Sequence, residues 1–293
     1  MPAVALDDGR TLAYDEHGDP DGLPVVLLHG APGSRRFLPD ADAVGAAGVR
    51  LVTFDRPGFG RSTRRPGREL LDTATDVAAL LERLHIERAG LIGVSAGGPH
   101  ALACAVSPRL RGRVAGLTIV SAPGPLDEVP GAWESLGDHM RPTAAMARRE
   151  PSRSIRAIER YMAPAVADPC AYLQGGPPAD RALQTDPAVR PMLLADLQEA
   201  FRQGAAGLAD DLVAFWRPWG FRVADVPPGA RLWHGEQDTR GAADAAYLAR
   251  ALPACRAATW PDAGHFAVVT HWRDVLHAAA AGVDEQGISP TTS

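Results

Sequence analysis

The sequence predicts an α/β protein: a mostly parallel central sheet of about eight strands flanked by helices, with one helical insertion. Three observations predict it. Apolar runs of strand length end repeatedly in glycine or proline, amphipathic stretches of helix length lie between them, and this alternation stops after Gly124 and resumes at Ala230. The chain then divides into 1–124 and 223–283 for the sheet, 125–222 for the insertion and 284–293 for a polar tail expected to be loose.

Residues 3–17, with the turn dipeptide Asp8-Gly9, read as an antiparallel hairpin. VVLLHG (25–30), RLVTFDRPG (50–58), AGLIGVSAGG (89–98) and VAGLTIVSAPG (114–124) have aliphatic, β-branched centres and no period-two alternation. Strands buried on both faces have this pattern, as a parallel sheet covered by helices requires. Over 69–84, ELLDTATDVAALLERL sets Leu70, Ala74, Val77, Leu80, Leu81 and Leu84 on one stripe, the spacing of a helix packed by one face. Residues 125–222 hold 11 of the 26 prolines and 8 of the 17 aromatics, with helical patterns and no strand-like run, which marks them as an insertion. ARLWHGEQD (230–238) restarts the rhythm. A helix near 241–252, a strand near 255–260 and a single final helix from about 266 to 281 follow.

Composition narrows the function classes. Thirty cations against 35 acids leave a charge of −5, and every cation is arginine, which fits the codon bias of a GC-rich genome. A nucleic-acid binder would show a basic surplus, so no nucleic-acid partner is expected. The N-terminal MPAVALDDGRTLAYDEHG carries acids by its seventh residue, unlike a secretory signal. No apolar run reaches the ~18 residues of a membrane span. Cys104, Cys170 and Cys255 are odd in number and far apart, so they are expected as buried thiols in a reducing cytoplasm. No metal or other cofactor is called for, and the expected partner is a small-molecule substrate.

Gly93-Val94-Ser95-Ala96-Gly97 is the centre of the chemistry. A strand that turns directly into a helix makes a strained corner, and glycines two before and two after remove side chains that would collide with the neighbouring strand and helix. The serine is then held outside the sheet with a helix N-terminus behind it. A serine hydroxyl needs a base, and the base needs an orienting carboxylate. Of nine histidines, His265 lies in the turn-rich PDAGHF between the last strand and the last helix, where α/β sheets gather reactive groups. His271 and His277 fall in the final helix's pattern, His17 and His85 sit near element ends, and His100 reads as structural. Asp238 ends a strand at the same sheet edge, 27 residues before His265, with Glu236 and Asp127 as alternatives and Asp262 too near His265 in sequence.

A developing oxyanion needs backbone donors. The N–H of Ala96, at the helix start, and that of Ala31, in His29-Gly30-Ala31-Pro32-Gly33, are the candidates. Pro32 would aim the preceding peptide, and Gly30 and Gly33 would let the backbone approach a substrate. The bland alternative is a plain turn before a helix starting near Ser34.

Together HGAPGS (29–34), DRPGFGRS (55–62), GVSAGG (93–98), HGEQD (234–238) and AGHF (263–266) resemble the α/β-hydrolase fold family, in its order Ser, Asp, His. The resemblance implies Ser95 as nucleophile, Asp238 as orienting acid, His265 as base, Ala31 and Ala96 as oxyanion donors, Asp55 and Arg56 as structural, and 125–222 as a helical cap. Two departures stand out: no proline follows Asp238, and the elbow carries serine where the haloalkane dehalogenase and epoxide hydrolase branches carry aspartate. HGAPG is also similar to the HGGPG of proline iminopeptidases.

A serine hydrolase of small or medium carboxylic esters, thioesters or lactones is therefore expected. Cap aromatics Trp133, Tyr161, Tyr172, Phe201, Phe215, Trp216, Trp219 and Phe221 could line its pocket, with Trp133, Trp216 and Trp219 the leading candidates. An aminopeptidase would instead need cap carboxylates at the site, from Glu134, Asp138, Asp196, Glu199 and Asp210. A binding protein with negligible turnover, or a C–C bond or cyclisation enzyme of secondary metabolism, could use the same scaffold.

Overall fold

Each glycine- or proline-ended apolar run forms a strand of one sheet in the computed structural model, which describes residues 2–173 and 175–284. The strands are β1 (Ala3–Ala5), β2 (Thr11–Gly18), β3 (Leu23–Leu28), β4 (Val49–Phe54), β5 (Ala89–Val94), β6 (Val114–Val120), β7 (Arg231–Gly235) and β8 (Arg256–Trp260). Their order is β1-β2-β4-β3-β5-β6-β7-β8. The hairpin strands pair antiparallel, β2 runs antiparallel to β4, and the rest of the sheet is parallel. From β3 the chain steps to one side, to β4, and then returns to the other side, to β5. The loops leaving β3 and β5 therefore diverge around a crevice at the carboxyl ends of the strands, the usual ligand position in such sheets.

Alternate residues of the inner strands feed two cores. Val25 and Leu27 pack on one face of the sheet, Val26 and Leu28 on the other. One face is covered by α1 (Ala41–Ala46) and the last helix, the other by α2 (Thr73–Arg83), α3 (Gly97–Val106) and α11 (Ala242–Ala251). All six residues of the predicted 69–84 stripe are buried, with Leu70 in a 3₁₀ turn ahead of α2.

Between Gly124 and Arg222 lie α4 (Ala132–Ser135), α5 (Gly137–Ala147), α6 (Pro151–Ala167), α7 (Pro169–Tyr172), α8 (Pro178–Thr185), α9 (Arg190–Ala200) and α10 (Ala206–Trp216), and no strand among the described residues.

Three local expectations change. The final helix is two, α12 (Ala267–Thr270) and α13 (Trp272–Asp284), because residue 271 leaves helical geometry. There the His271 ring stacks on Trp260 at 4.0 Å, and the Trp272 indole N–H donates to the Asp40 carbonyl. No helix starts near Ser34: α1 begins at Ala41, capped by the Asp40 carboxylate accepting from the Ala43 N–H. Of the three thiols, all free, only Cys104 is buried, while Cys170 is exposed and Cys255 half-buried. Past Asp284 the expected tail lies outside the described residues. Among the described residues no helix is long and apolar enough to cross a membrane.

Candidate active site

Ser95 sits on the corner between β5 and α3 with φ 51°, a conformation side chains rarely adopt. Its N–H donates to the Val120 carbonyl at 2.8 Å, and its own carbonyl accepts from the Gly98 N–H at 2.9 Å, which fixes the strain in place. Both motif glycines are sterically required. A Cβ at Gly93 would lie 2.8 Å from the Gly98 Cα and 2.9 Å from the Ala101 Cβ, and one at Gly97 would collide with the Leu28 carbonyl on β3.

The loops after β7 and β8 bring the other two groups. His265 Nε2 lies 2.9 Å from Ser95 Oγ, and His265 Nδ1 lies 2.7 Å from Asp238 Oδ2. With Nδ1–H donating to the carboxylate, Nε2 is left to accept from the serine hydroxyl. Burial alone would push the Asp238 carboxyl up. The hydrogen bond and charge of His265 override it, and the group sits below the usual range, hence ionised. The missing proline has a local substitute: the Gly241 N–H, just before α11, donates to the Asp238 carbonyl at 3.1 Å. The other carboxylates are elsewhere: Glu236 accepts from Thr259, Asp127 pairs with Arg148, and Asp262 is exposed.

Two positioning groups stand behind these side chains: Asp180, which no motif marks, and the His29–Arg56 pair, which two of the resemblance motifs contain. Asp180, buried on α8 of the insertion, accepts from the N–H of His265 at 3.1 Å and of Phe266 at 3.0 Å, so an insertion residue holds the histidine loop. His29 and Arg56 hold the loop after β3. The Arg56 N–H donates to His29 Nε2, which leaves His29 Nδ1–H to donate to the Gly30 carbonyl at 2.7 Å. Burial, then the Arg56 charge, holds His29 well below its ordinary pKa, so it stays neutral in this role. Arg56 also donates to the carbonyls of His29 and Gly30. Because C=O and N–H of a trans peptide point in opposite directions, pinning the Gly30 carbonyl aims the Ala31 N–H the other way.

Neither the Ala31 nor the Ala96 N–H donates to a protein acceptor among the described residues, and both residues line the cavity above Ser95. A Cβ on Gly30 would sit 3.5 Å from the Ser95 Cβ, whereas one on Gly33 would strike the Gly30 carbonyl. Gly33 thus closes its own loop and does not face a substrate.

Arg56 is held from the insertion. Asp211 on α10 accepts from Arg56 at 2.7 Å and from Arg68 at 2.5 Å, all three fully or almost fully buried. Burial would raise the Asp211 carboxyl, but these two guanidinium groups hold it well below the ordinary value. His100, pushed down to about 4 chiefly by burial, bonds Thr73 and faces Asp211, so it is structural. Asp55 accepts from the N–H groups of Arg35 and Arg61, which closes the 55–62 loop.

A cavity of about 360 Å³ opens over Ser95, His265 and Asp238, walled by Leu126, Leu136, Leu212, Phe215 and Trp216. A second of about 200 Å³ reaches Ser95 from under Tyr172, Leu193 and Leu197. Of the three leading tryptophans only Trp216 lines a cavity at Ser95. The Trp133 indole donates to Asp127 and lies against the Arg148 guanidinium, and Trp219 is buried in the core beside Phe221, donating to the Phe215 carbonyl. Most of the insertion's acids are taken: Glu199 pairs with Arg35 and Arg202, Asp210 with Arg64 and Arg68, while Glu134 and Asp138 are exposed. Asp196 lines the smaller cavity, with Oδ1 accepting from the Ser34 N–H and hydroxyl.

A family model described as alpha/beta hydrolase fold matches residues 24–271. A proline iminopeptidase of Xanthomonas citri is 39% identical over 121 residues, 38% of this chain and 36% of that protein. The dihydrolipoyllysine-residue acetyltransferase component of the acetoin cleaving system of Pseudomonas putida is 31% identical over 278 residues, 90% of this chain and 64% of that protein. The chain thus spans less than two thirds of either relative. The enol-lactonase from Burkholderia xenovorans LB400 shares the fold at a TM-score of 0.64 and 21% identity, covering 97% of this chain and 100% of that one. With the matched region running from β3 past His265, the chain belongs to the α/β-hydrolase fold family.

Proposed function

We propose that this protein is a serine hydrolase that cleaves a small or medium carboxylic ester, thioester or lactone through an acyl-enzyme on Ser95. One observation carries the reading: the unbroken chain of hydrogen bonds from Ser95 Oγ to His265 to Asp238, at 2.9 and 2.7 Å, on the floor of an open, mostly apolar cavity. His265 takes the hydroxyl proton as Oγ attacks the carbonyl carbon. Asp238 stabilises the imidazolium that results, and the Ala31 and Ala96 N–H groups receive the oxyanion. Collapse of the tetrahedral species passes that proton to the departing alkoxide or thiolate. Water, deprotonated by the same Nε2, then releases the acid and returns the proton to Ser95. The free thiols Cys104, Cys170 and Cys255 support a reducing, cytoplasmic setting.

Stopped-flow hydrolysis of 4-nitrophenyl butanoate tests the proposal. A burst of one nitrophenolate per enzyme is expected, and Ser95→Ala should lower kcat by at least ~10³-fold with the fold intact. Turnover by a folded Ser95→Ala protein near the wild-type rate would refute it. The aminopeptidase reading has the Xanthomonas relative in its favour, but Asp196 is the only one of its five proposed insertion acids to line either cavity at Ser95. Faster cleavage of an aminoacyl anilide than of an aryl ester would favour it.

A further inference from the structure

One carboxylate in the larger cavity has no part in the chemistry above. Asp244 lies in the first turn of α11, on the sheet domain and outside the insertion, and lines the cavity that holds Ser95, Asp238 and His265. Its Oδ1 accepts from the Gly124 N–H at 2.8 Å, and among the described residues no cation pairs with either oxygen. Burial raises this carboxyl to about 6, and the nearby Asp238 charge adds to the effect, so it is mostly ionised at pH 8. A second polar group stands in the same wall with nothing to bond. The Ser121 hydroxyl is buried without a partner, on a residue only 5% exposed and held at φ 51°. The remaining lining is largely apolar, and the single cation in it, Arg240, is exposed.

A half-buried carboxylate with an open acceptor oxygen, near a second carboxylate and in the same cavity wall as an orphan hydroxyl, sets up a negative, hydrogen-bonding end to an otherwise apolar slot. We infer that Asp244, with Ser121 in the same cavity wall, is a subsite for an ammonium group carried on one limb of the substrate, which makes that substrate an amine-bearing ester, thioester or lactone. This rests on the Ser95 reading for the reaction but not for the binding. A limb that fills the apolar walls of Phe215 and Trp216 would then end in a charge-assisted hydrogen bond, of a kind worth about ten-fold or more in affinity.

Calorimetric titration with pentylammonium, pentanol and pentanoate at pH 8 tests the inference without turnover. Pentylammonium should bind wild type at least ~10-fold more tightly than pentanol. That ratio should collapse toward one in Asp244→Asn, whose amide oxygen still accepts from the Gly124 N–H, and should persist in Asp196→Asn. Equal affinities, a preference for pentanoate, or an ammonium preference that survives in Asp244→Asn or vanishes in Asp196→Asn would each overturn it. Hydrolysis of butyl 5-aminopentanoate and of 4-aminobutyl pentanoate, each against butyl pentanoate, then tells whether the amine sits on the acyl or the alcohol limb. Fluorophosphonate labelling of the same samples separates the two claims: ammonium selectivity without a Ser95 adduct would sink the acyl-enzyme and leave the subsite standing.

Discussion

The sheet and the insertion hold the same site by different physics. On the sheet side the candidate reacting groups are placed by backbone: Ser95 is strained between Gly93 and Gly97, and His265 and Asp238 leave adjacent parallel strands. On the insertion side the fastening is done by carboxylates. Asp180 takes the backbone of the histidine loop, Asp211 takes the arginine that pins the Ala31 loop, and Asp196 and Glu199 take Ser34 and Arg35. The helices over the cavity are therefore part of the site's frame, and not only a cover that shapes it.

This contrast predicts that the sheet side breaks when an atom is added and the insertion side when a carboxylate paired with a buried arginine is removed. The largest effect expected is from Gly97→Ala, whose methyl meets the Leu28 carbonyl: a loss above ~4 kcal/mol, read as failure to give soluble folded protein. Asp211→Ala comes next. It leaves the buried Arg56 without a carboxylate and Arg68 with only its longer carboxylate contact, to Asp210, at a cost of about 3–5 kcal/mol in urea unfolding. A loss under 1 kcal/mol would show that the insertion is not held in this way. Arg56→Met should lower kcat on a neutral ester about 10²-fold with little change in KM, because the Ala31 N–H loses its aim. A purely structural arginine would lower stability and leave kcat alone.

Asp196 sharpens the comparison through pH. Burial pushes its carboxyl up to about 7, against an ordinary 3.8, so the folded state keeps a proton that the unfolded chain has lost. Stability from this group is greatest below about pH 4 and falls as pH rises toward 7. Asp196→Asn should remove that decline, gaining on the order of 4 kcal/mol over wild type at pH 8 relative to pH 4. The smallest effect is on substrate choice: Trp216→Ala should shift the preferred ester chain length, with about ten-fold changes in KM. Trp219→Phe, away from both cavities at Ser95, should leave the preference within about two-fold.

The same division explains what could be read from the residues alone. A buried parallel strand must be apolar throughout and end in a turn, so β3 to β6 were visible as runs, and the collisions that make Gly93 and Gly97 necessary leave a spaced motif. Asp180, Asp196 and Asp211 act across 85 to 162 residues of chain, and nothing local distinguishes them from solvated acids. Trp133 and Trp219 line neither cavity at Ser95, and nothing local foretells it: aromatic content marks an insertion that must pack, but not which ring faces the cavity. The break at His271 depends on Trp260 and Asp40, both remote in sequence, so the apolar pattern carried straight through it.

The most direct test of the Ser95–His265–Asp238 assembly is peptide mapping after fluorophosphonate treatment of wild type, Ser95→Ala and His265→Ala. A single adduct on Ser95 is predicted in wild type, absent from Ser95→Ala and formed at least ~10²-fold more slowly in His265→Ala. An adduct on another residue, or equal labelling of wild type and His265→Ala, would contradict the account.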